Sequence, residues 1–162
     1  MRWKYRIAAV VGAAGIGLGA LALTAGGAHA ATTLRFTEHE TNVEYVIGGH
    51  ATLSPTSPPG PGDSILFRSD LLQNGANVGF LNAQCVVIFN DNLSCGGFFA
   101  FNGKGDIYGT GLLRNGASGN IPSVFDIAIT GGTFAYRNVH GDAHAVVLNA
   151  TDTDWTLNLV TS

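Results

Sequence analysis

AITGGTFAYRNVHGDAHA, Ala128 to Ala145, runs a hydrophobic segment into Thr130-Gly131-Gly132-Thr133 and returns through Tyr136-Arg137 to a third glycine, Gly141. A glycine pair can cradle a phosphate, turn a tight corner, or let another group come close. The phosphate reading needs a strand before the glycines and a helix after them. Here the strand pattern is present and no helix pattern follows. The pair is therefore expected to form a tight corner between strands, using the freedom of glycine at positive φ. Tyr136 and Gly141 would then fix how the last hairpin closes.

The rest of the chain keeps the same rhythm. Short segments rich in β-branched and aromatic residues alternate with Gly, Asn, Asp and Pro. They fall at 33–38, 65–72, 77–89, 93–102, 106–113, 123–129, 142–149 and 154–160, with 43–47 able to extend the first. No stretch of helical period separates them, which excludes a doubly wound parallel sheet. The fold class is all-β, and this number of antiparallel strands suits an eight-stranded up-and-down β-barrel or a small sandwich. Residues 51–62 break the rhythm with Pro55, Pro58, Pro59 and Pro61. No central strand passes through such a segment, so it reads as a surface loop.

Residues 1–30 read as a secretory signal peptide. Arg2, Lys4 and Arg6 precede a long apolar run, and Ala28-His29-Ala30 supplies a small-x-small cleavage pattern. An uncleaved membrane anchor is the competing reading, weakened by Gly12, Gly15, Gly17, Gly19 and Gly26 in and just after the run. Cleavage leaves residues 31–162 as one domain, secreted, with no stable membrane span. It removes three of eight basic residues and none of eleven acidic ones, so the mature chain is more acidic than the whole, whose net charge is −3. No Lys/Arg cluster remains to bind nucleic acid.

Two cysteines, Cys85 and Cys95, lie in the exported part, where an oxidising compartment favours their pairing. A hairpin turning near Asn90 sets them directly opposite one another, within disulfide reach. A two-residue turn at Asp91-Asn92 shifts the register and breaks that match. The segment VGFLNAQCVVIF, Val78 to Phe89, is apolar on both faces. A half-exposed sheet alternates cleanly, so a homodimer or homotrimer interface is expected to cover the outer face.

These residues resemble a known family. VGFLNAQCVVIF (78–89), GDIYGTGLL (105–113) and AITGGTFAYRNVHGDAHA (128–145) together look like the allene oxide cyclase barrel and its dirigent relatives, in the style of secreted actinobacterial members. Gly62-Asp63, Val78-Gly79 to Cys85, Ile107 with Gly109, and Thr130 to Tyr136 with Gly141 match the order of the family's motifs. The resemblance implies a barrel with an apolar central cavity, often dimeric or trimeric, that holds a reactive molecule so that it cyclises with one stereochemistry. Such catalysis works through positioning and exclusion of water. The family's first-strand acid falls on Glu38 or Glu40, its second-strand Asn on Ser69, and its pocket cysteine on Cys85. The third glycine of the Thr-Gly-Gly motif is replaced by Phe134.

Glu38 and Glu40 share a strand face with Leu34 and Phe36. Turned inward, their carboxyls would be desolvated into general acid/base candidates; turned outward, they are ordinary surface charges. Phe36, Ser69, Leu81, Cys85 and Phe99 are the expected cavity lining. Arg68 and Asp70 either line the mouth or form a solvated cross-strand pair. His140 and His144, four apart, would stand ~13 Å apart on a strand and cannot share one metal ion. Neither a metal nor a cofactor is expected. The two functions in view are a stereo-directing barrel of the cyclase or isomerase kind for a small apolar molecule, and a non-catalytic carrier or partner-binding barrel. A cavity packed shut by Phe98, Phe99, Phe101 and Phe125 would count against the first.

Overall fold

The computed structural model describes residues 31–119 and 121–162, so the expected leader at 1–30 lies outside the described residues. The strands are β1 (Ala31–Ile47), β2 (His50–Thr52), β3 (Ser64–Gln73), β4 (Ala76–Val87), β5 (Leu93–Phe101), β6 (Gly105–Leu113), β7 (Val124–Gly132), β8 (Val139–Val147) and β9 (Asp152–Thr161). Single 3-10 turns at Phe89–Asp91, Gly116–Ser118 and Phe134–Tyr136 are the helical pieces among the described residues. None of these is long and apolar enough to cross a membrane.

Every pairing is antiparallel, each strand from β3 to β9 lies beside the next, and β1 pairs with both β3 and β9. Eight strands thus close into an up-and-down barrel, which leaves no free edge around its ring. Strand β2 lies outside the ring, paired to the far end of β1 through Tyr45 and Thr52. The segment expected as a loop over 51–62 therefore begins as strand, because Ala51 and Thr52 belong to β2. The proline-rich remainder is tied down by Asp63, whose carboxylate accepts hydrogen bonds from Gly48 N at 2.9 Å and Gly60 N at 2.7 Å. Those donors hold the Asp63 carboxyl below its ordinary value.

Alternation fills the barrel from the inside. One cluster gathers Phe36, Leu71, Leu81, Phe99, Ile107 and Trp155 with their neighbours. A second lies around Ile65, Cys85, Val87, Leu93 and Leu113. The hairpin after β4 turns on Asn90 and Asp91, at φ 58° and 57°. It keeps Cys85 opposite Cys95, and the two form a disulfide within the second cluster.

The outer face of β4 to β6 is aromatic as well. Phe80 packs edge-on against Phe98 at 6.0 Å, Phe98 lies 6.1 Å from Tyr108, and the Arg68 guanidinium sits 5.1 Å over the Phe80 ring. These rings contact one another on the outer face, where Tyr108 stays 40% exposed. Arg68 stands on this outer stripe through a cation–π contact.

The glycine pair departs from its expected role. Gly131 and Gly132 end β7 with ordinary negative φ, so they make no corner. The corner is the turn Phe134–Tyr136, which begins with Phe134 in the left-handed region at φ 48°. Gly132 is small because a Cβ there would meet Tyr136 O at 2.4 Å and Asp106 O at 2.7 Å, whereas Gly131 has nothing within 4 Å. Gly141 is likewise no turn residue. It sits within β8, where a Cβ would lie 1.9 Å from Asn158 O.

Gly132→Ala is therefore expected to destabilise the protein by at least ~2 kcal/mol, because backbone must move, while Gly131→Ala stays within ~0.5 kcal/mol. Urea unfolding of the pair measures the contrast, and equal losses would contradict it. Removing the disulfide with Cys85→Ala and Cys95→Ala together should cost about 3 kcal/mol on the loop-entropy relation for so short a loop. Calorimetry would register this as a lowered Tm.

Candidate functional site

The site is built on β1. Phe36, Glu38 and Glu40 occupy one face, and Thr41 then forms a bulge between Glu40, opposite Ser69, and Asn42, opposite Arg68. The Thr41 hydroxyl donates to Arg68 O at 2.9 Å, which stitches the bulge to β3. An inserted residue reverses the facing of everything beyond it. Hence Val43 and Tyr45 pack on the inner second cluster beyond the bulge, while Phe36 packs on the first cluster before it. The two glutamates fall between the clusters.

Glu38 is part-buried, and both oxygens of its carboxyl are engaged. Ser69 Oγ donates to Oε1 at 2.7 Å, and Trp155 Nε1 donates to Oε2 at 2.6 Å. Ser69 is fully buried, and Trp155 is 5% exposed. Burial raises the Glu38 carboxyl above its ordinary value of 4.5, and the hydrogen bonds from Ser69 and Trp155 pull the other way without overcoming it. Glu40 is also raised. Partial burial is its main cause, the nearby charge of Glu38 adds to it, and His39 opposes it. The structure therefore sets two coupled carboxyls on one inward face, one of them held by two donors.

Around Glu38 the interior is aromatic. Trp155 packs edge-on against Phe99 at 5.1 Å and Phe125 at 5.6 Å. Phe99 meets Phe36 at 5.5 Å, and Phe36 meets Phe101 at 5.4 Å. Phe101 in turn lies 5.4 Å from Tyr136. This chain of rings runs through the barrel to the end where Phe101 and Tyr136 line an opening of about 230 Å³. Of the four phenylalanines expected to decide whether the cavity is open, Phe99, Phe101 and Phe125 pack on the core and Phe98 points outward.

Among the expected lining residues, Phe36, Leu81 and Phe99 share the first core cluster, and Ser69 touches Glu38 directly. Cys85 belongs to the second cluster, away from Trp155, and is locked to Cys95. Gly131, Gly132 and Gly141 lie outside the site. Trp155 escaped the sequence reading. Its contact with Glu38 spans 117 positions, and only the closing β1–β9 register, which pairs Trp155 with Phe36, brings it in. The histidines serve at the surface, His39 Nδ1 with Asp152 at 2.6 Å and His144 Nδ1 with Asp126 at 2.7 Å. No group of three His, Cys, Asp or Glu side chains converges as a metal centre among the described residues.

The raised Glu38 value gives a pH dependence of definite sign. Near pH 4.5 and above, the unfolded chain releases this proton before the folded one does, so the Glu38 contribution to stability falls as pH rises toward the folded value. The unfolding free energy of the wild type minus that of Glu38→Gln should decrease with rising pH over that window. Denaturant titrations at a series of pH values test this, and a difference that grows with pH would refute the burial argument.

No protein-family model matches the chain, and no curated protein matches it in sequence. Solved structures do resemble it. A pyocyanin demethylase superposes with a TM-score of 0.60 at 23% identity, over 79% of this chain and 99% of that one. The pterocarpan synthase dirigent protein GePTS1 gives 0.62 at 18% identity, over 89% and 97%. AbnU, an exo-specific intermolecular Diels-Alderase, gives 0.62 at 11% identity, over 81% and 98%. With its closed eight-stranded ring and these neighbours, the chain has the allene oxide cyclase/dirigent-like barrel fold.

Proposed function

We propose that this protein binds a small apolar molecule inside its barrel and directs a cyclisation or isomerisation of it, with the Glu38 carboxyl as the polar group that meets the reacting centre. The observation that carries the reading is the Glu38 arrangement: an acid desolvated among aromatic rings and oriented by the Ser69 hydroxyl and the Trp155 indole. A carboxyl raised toward neutrality can hand a proton or a hydrogen bond to an oxygen or alkene of the ligand and take it back after ring closure. Such a step is neutral in mass and needs no external reductant or oxidant. The rings around Glu38 would hold the ligand in one reactive conformation and exclude water.

Two neighbours in fold support ring-forming chemistry as a class: the intermolecular Diels-Alderase AbnU, and a nonspecific heme-binding cyclase that catalyses a [4 + 2] cycloaddition. On this reading the aromatic side chains are the cavity walls, and a ligand is admitted by displacing rings. The Cys85–Cys95 disulfide is consistent with work in an oxidising compartment outside the cell. The Glu38 charge in turn raises Glu40, since two carboxyls on one face resist ionising together.

A second reading has its own support. Phe99, Phe101, Phe125 and Trp155 already occupy the interior, as a barrel with no reaction to perform would be filled. That protein would be a non-catalytic carrier or partner-binding module.

Chromatography of molecules extracted from purified protein separates the two. If Glu38 directs the chemistry, wild type and Glu38→Gln should carry isomers of equal mass and different retention, with the cyclised form only in the wild type. An identical molecule in both, or none in either, would favour the second reading.

A further inference from the structure

On the outside of the barrel the register aligns side chains into rows that cross the strands. One row runs through Asn42 on β1, Arg68 on β3, Asn82 on β4, Phe98 on β5 and Tyr108 on β6, each directly opposite the next. The row beside it runs through Leu66, Gln84, Gly96 and Thr110 on β3 to β6. The Arg68 guanidinium over the Phe80 ring, and the contacts of Phe98 with Phe80 and Tyr108, fix the first row on the outer face. The second row stands two positions away along each strand and so shares that face. Between the rows lies an open groove of about 410 Å³, walled by Asn42, Asn82, Gln84, Leu66 and Phe98, with Gly96 in its floor.

Gly96 is the residue that folding does not account for. Its neighbour Gly97 is required by packing, since a Cβ there would meet Asn82 O at 2.5 Å. Gly96 keeps out of the left-handed region, and a Cβ there would meet nothing within 4 Å. A glycine inside a strand weakens it and often marks a place where a ligand or another backbone comes close. Here the missing side chain keeps the groove open. The side-chain amides of Asn42 and Asn82 form no hydrogen bond among the described residues, so both are available to whatever enters.

We infer that this outer groove binds an extended, neutral oligosaccharide chain. Side-chain amides donate and accept at once, which is what a hydroxyl-rich ligand requires. Phe98 gives the C–H face of a sugar ring an apolar wall, and the exposed Tyr108 continues that wall along the same row beyond the groove. Arg68 is the one charged residue in the lining, and its guanidinium is already engaged over Phe80. An anionic chain would therefore find a single cation. A purely apolar partner would leave the Asn42 and Asn82 amides unpaired, at a cost in binding. The groove lies across the barrel wall from the interior, since Asn82 lines it while Leu81 packs in the core, and it does not depend on the role proposed for Glu38.

Calorimetric titration of the full-length protein with cellohexaose, mannohexaose, xylohexaose and chitohexaose, beside the anionic hexagalacturonate, tests the inference. Saturable binding of at least one of the neutral chains is expected, tighter than that of hexagalacturonate. Gly96→Leu fills the groove and should weaken that binding about tenfold or more. Because nothing crowds a Cβ at this position, the variant should melt no lower than the wild type. Asn82→Ala should weaken binding roughly two- to tenfold, as the loss of one hydrogen-bonding amide does. Glu38→Gln should leave the affinity within about twofold, which keeps this test separate from the catalytic reading. Tighter binding of hexagalacturonate, or full affinity in the folded Gly96→Leu protein, would overturn the inference. So would the absence of saturable binding by every neutral chain; sedimentation of the wild type as a dimer that Gly96→Leu dissociates would then assign the face to a second copy.

Discussion

Closure of the ring through β1 is the constraint on which everything else rests. One strand must satisfy β3 on one edge and β9 on the other, and its register against β9 sets Trp155 beside Phe36. That single alignment aims an indole N–H at the Glu38 carboxyl across 117 positions of sequence. It also explains why a carboxyl can be retained inside the barrel at all. An acid between two apolar clusters costs free energy unless its oxygens find donors, and here one comes from each neighbouring strand. Closure and the polar site are thus the same piece of structure seen from two directions.

The bulge at Thr41 lets β1 do two jobs in succession. Before it, the inward positions carry Phe36, Glu38 and Glu40; beyond it they carry Val43 and Tyr45. Strict alternation along the whole strand would turn Asn42 and Glu44 into the second cluster instead. The bulge therefore separates a polar segment of the barrel wall from an apolar one, and it does so beside the residues with perturbed carboxyls. Bulges are often found where a side chain must be re-aimed.

Local features of the sequence made much of this legible. Alternation and turn residues marked all eight strands of the ring, and a turn near Asn90 sufficed to place Cys85 opposite Cys95. Glu38, Ser69, Phe36, Leu81 and Phe99 could be singled out because each lies on a patterned strand. The rest was hidden for physical reasons. The Thr41 bulge has no glycine to announce it, the Trp155 contact depends on closure, and Gly132 is dictated by carbonyls of Tyr136 and Asp106 rather than by its own φ. The glycine pair had the composition of a corner but serves close packing, and the true corner is carried by Phe134, a residue that rarely takes that conformation.

The closing pair of strands has a further consequence for chain connectivity. Ala31 lies directly opposite Val160, so the two ends of the barrel sequence are neighbours in the sheet. A short linker could join β9 to β1, and new termini could be opened in the proline-rich crossing between β2 and β3, which lies outside the ring. In such a circular permutant the β1–β9 seam would become a local hairpin, and the indole–carboxyl contact would pass from the longest-range interaction of the site to one of its shortest.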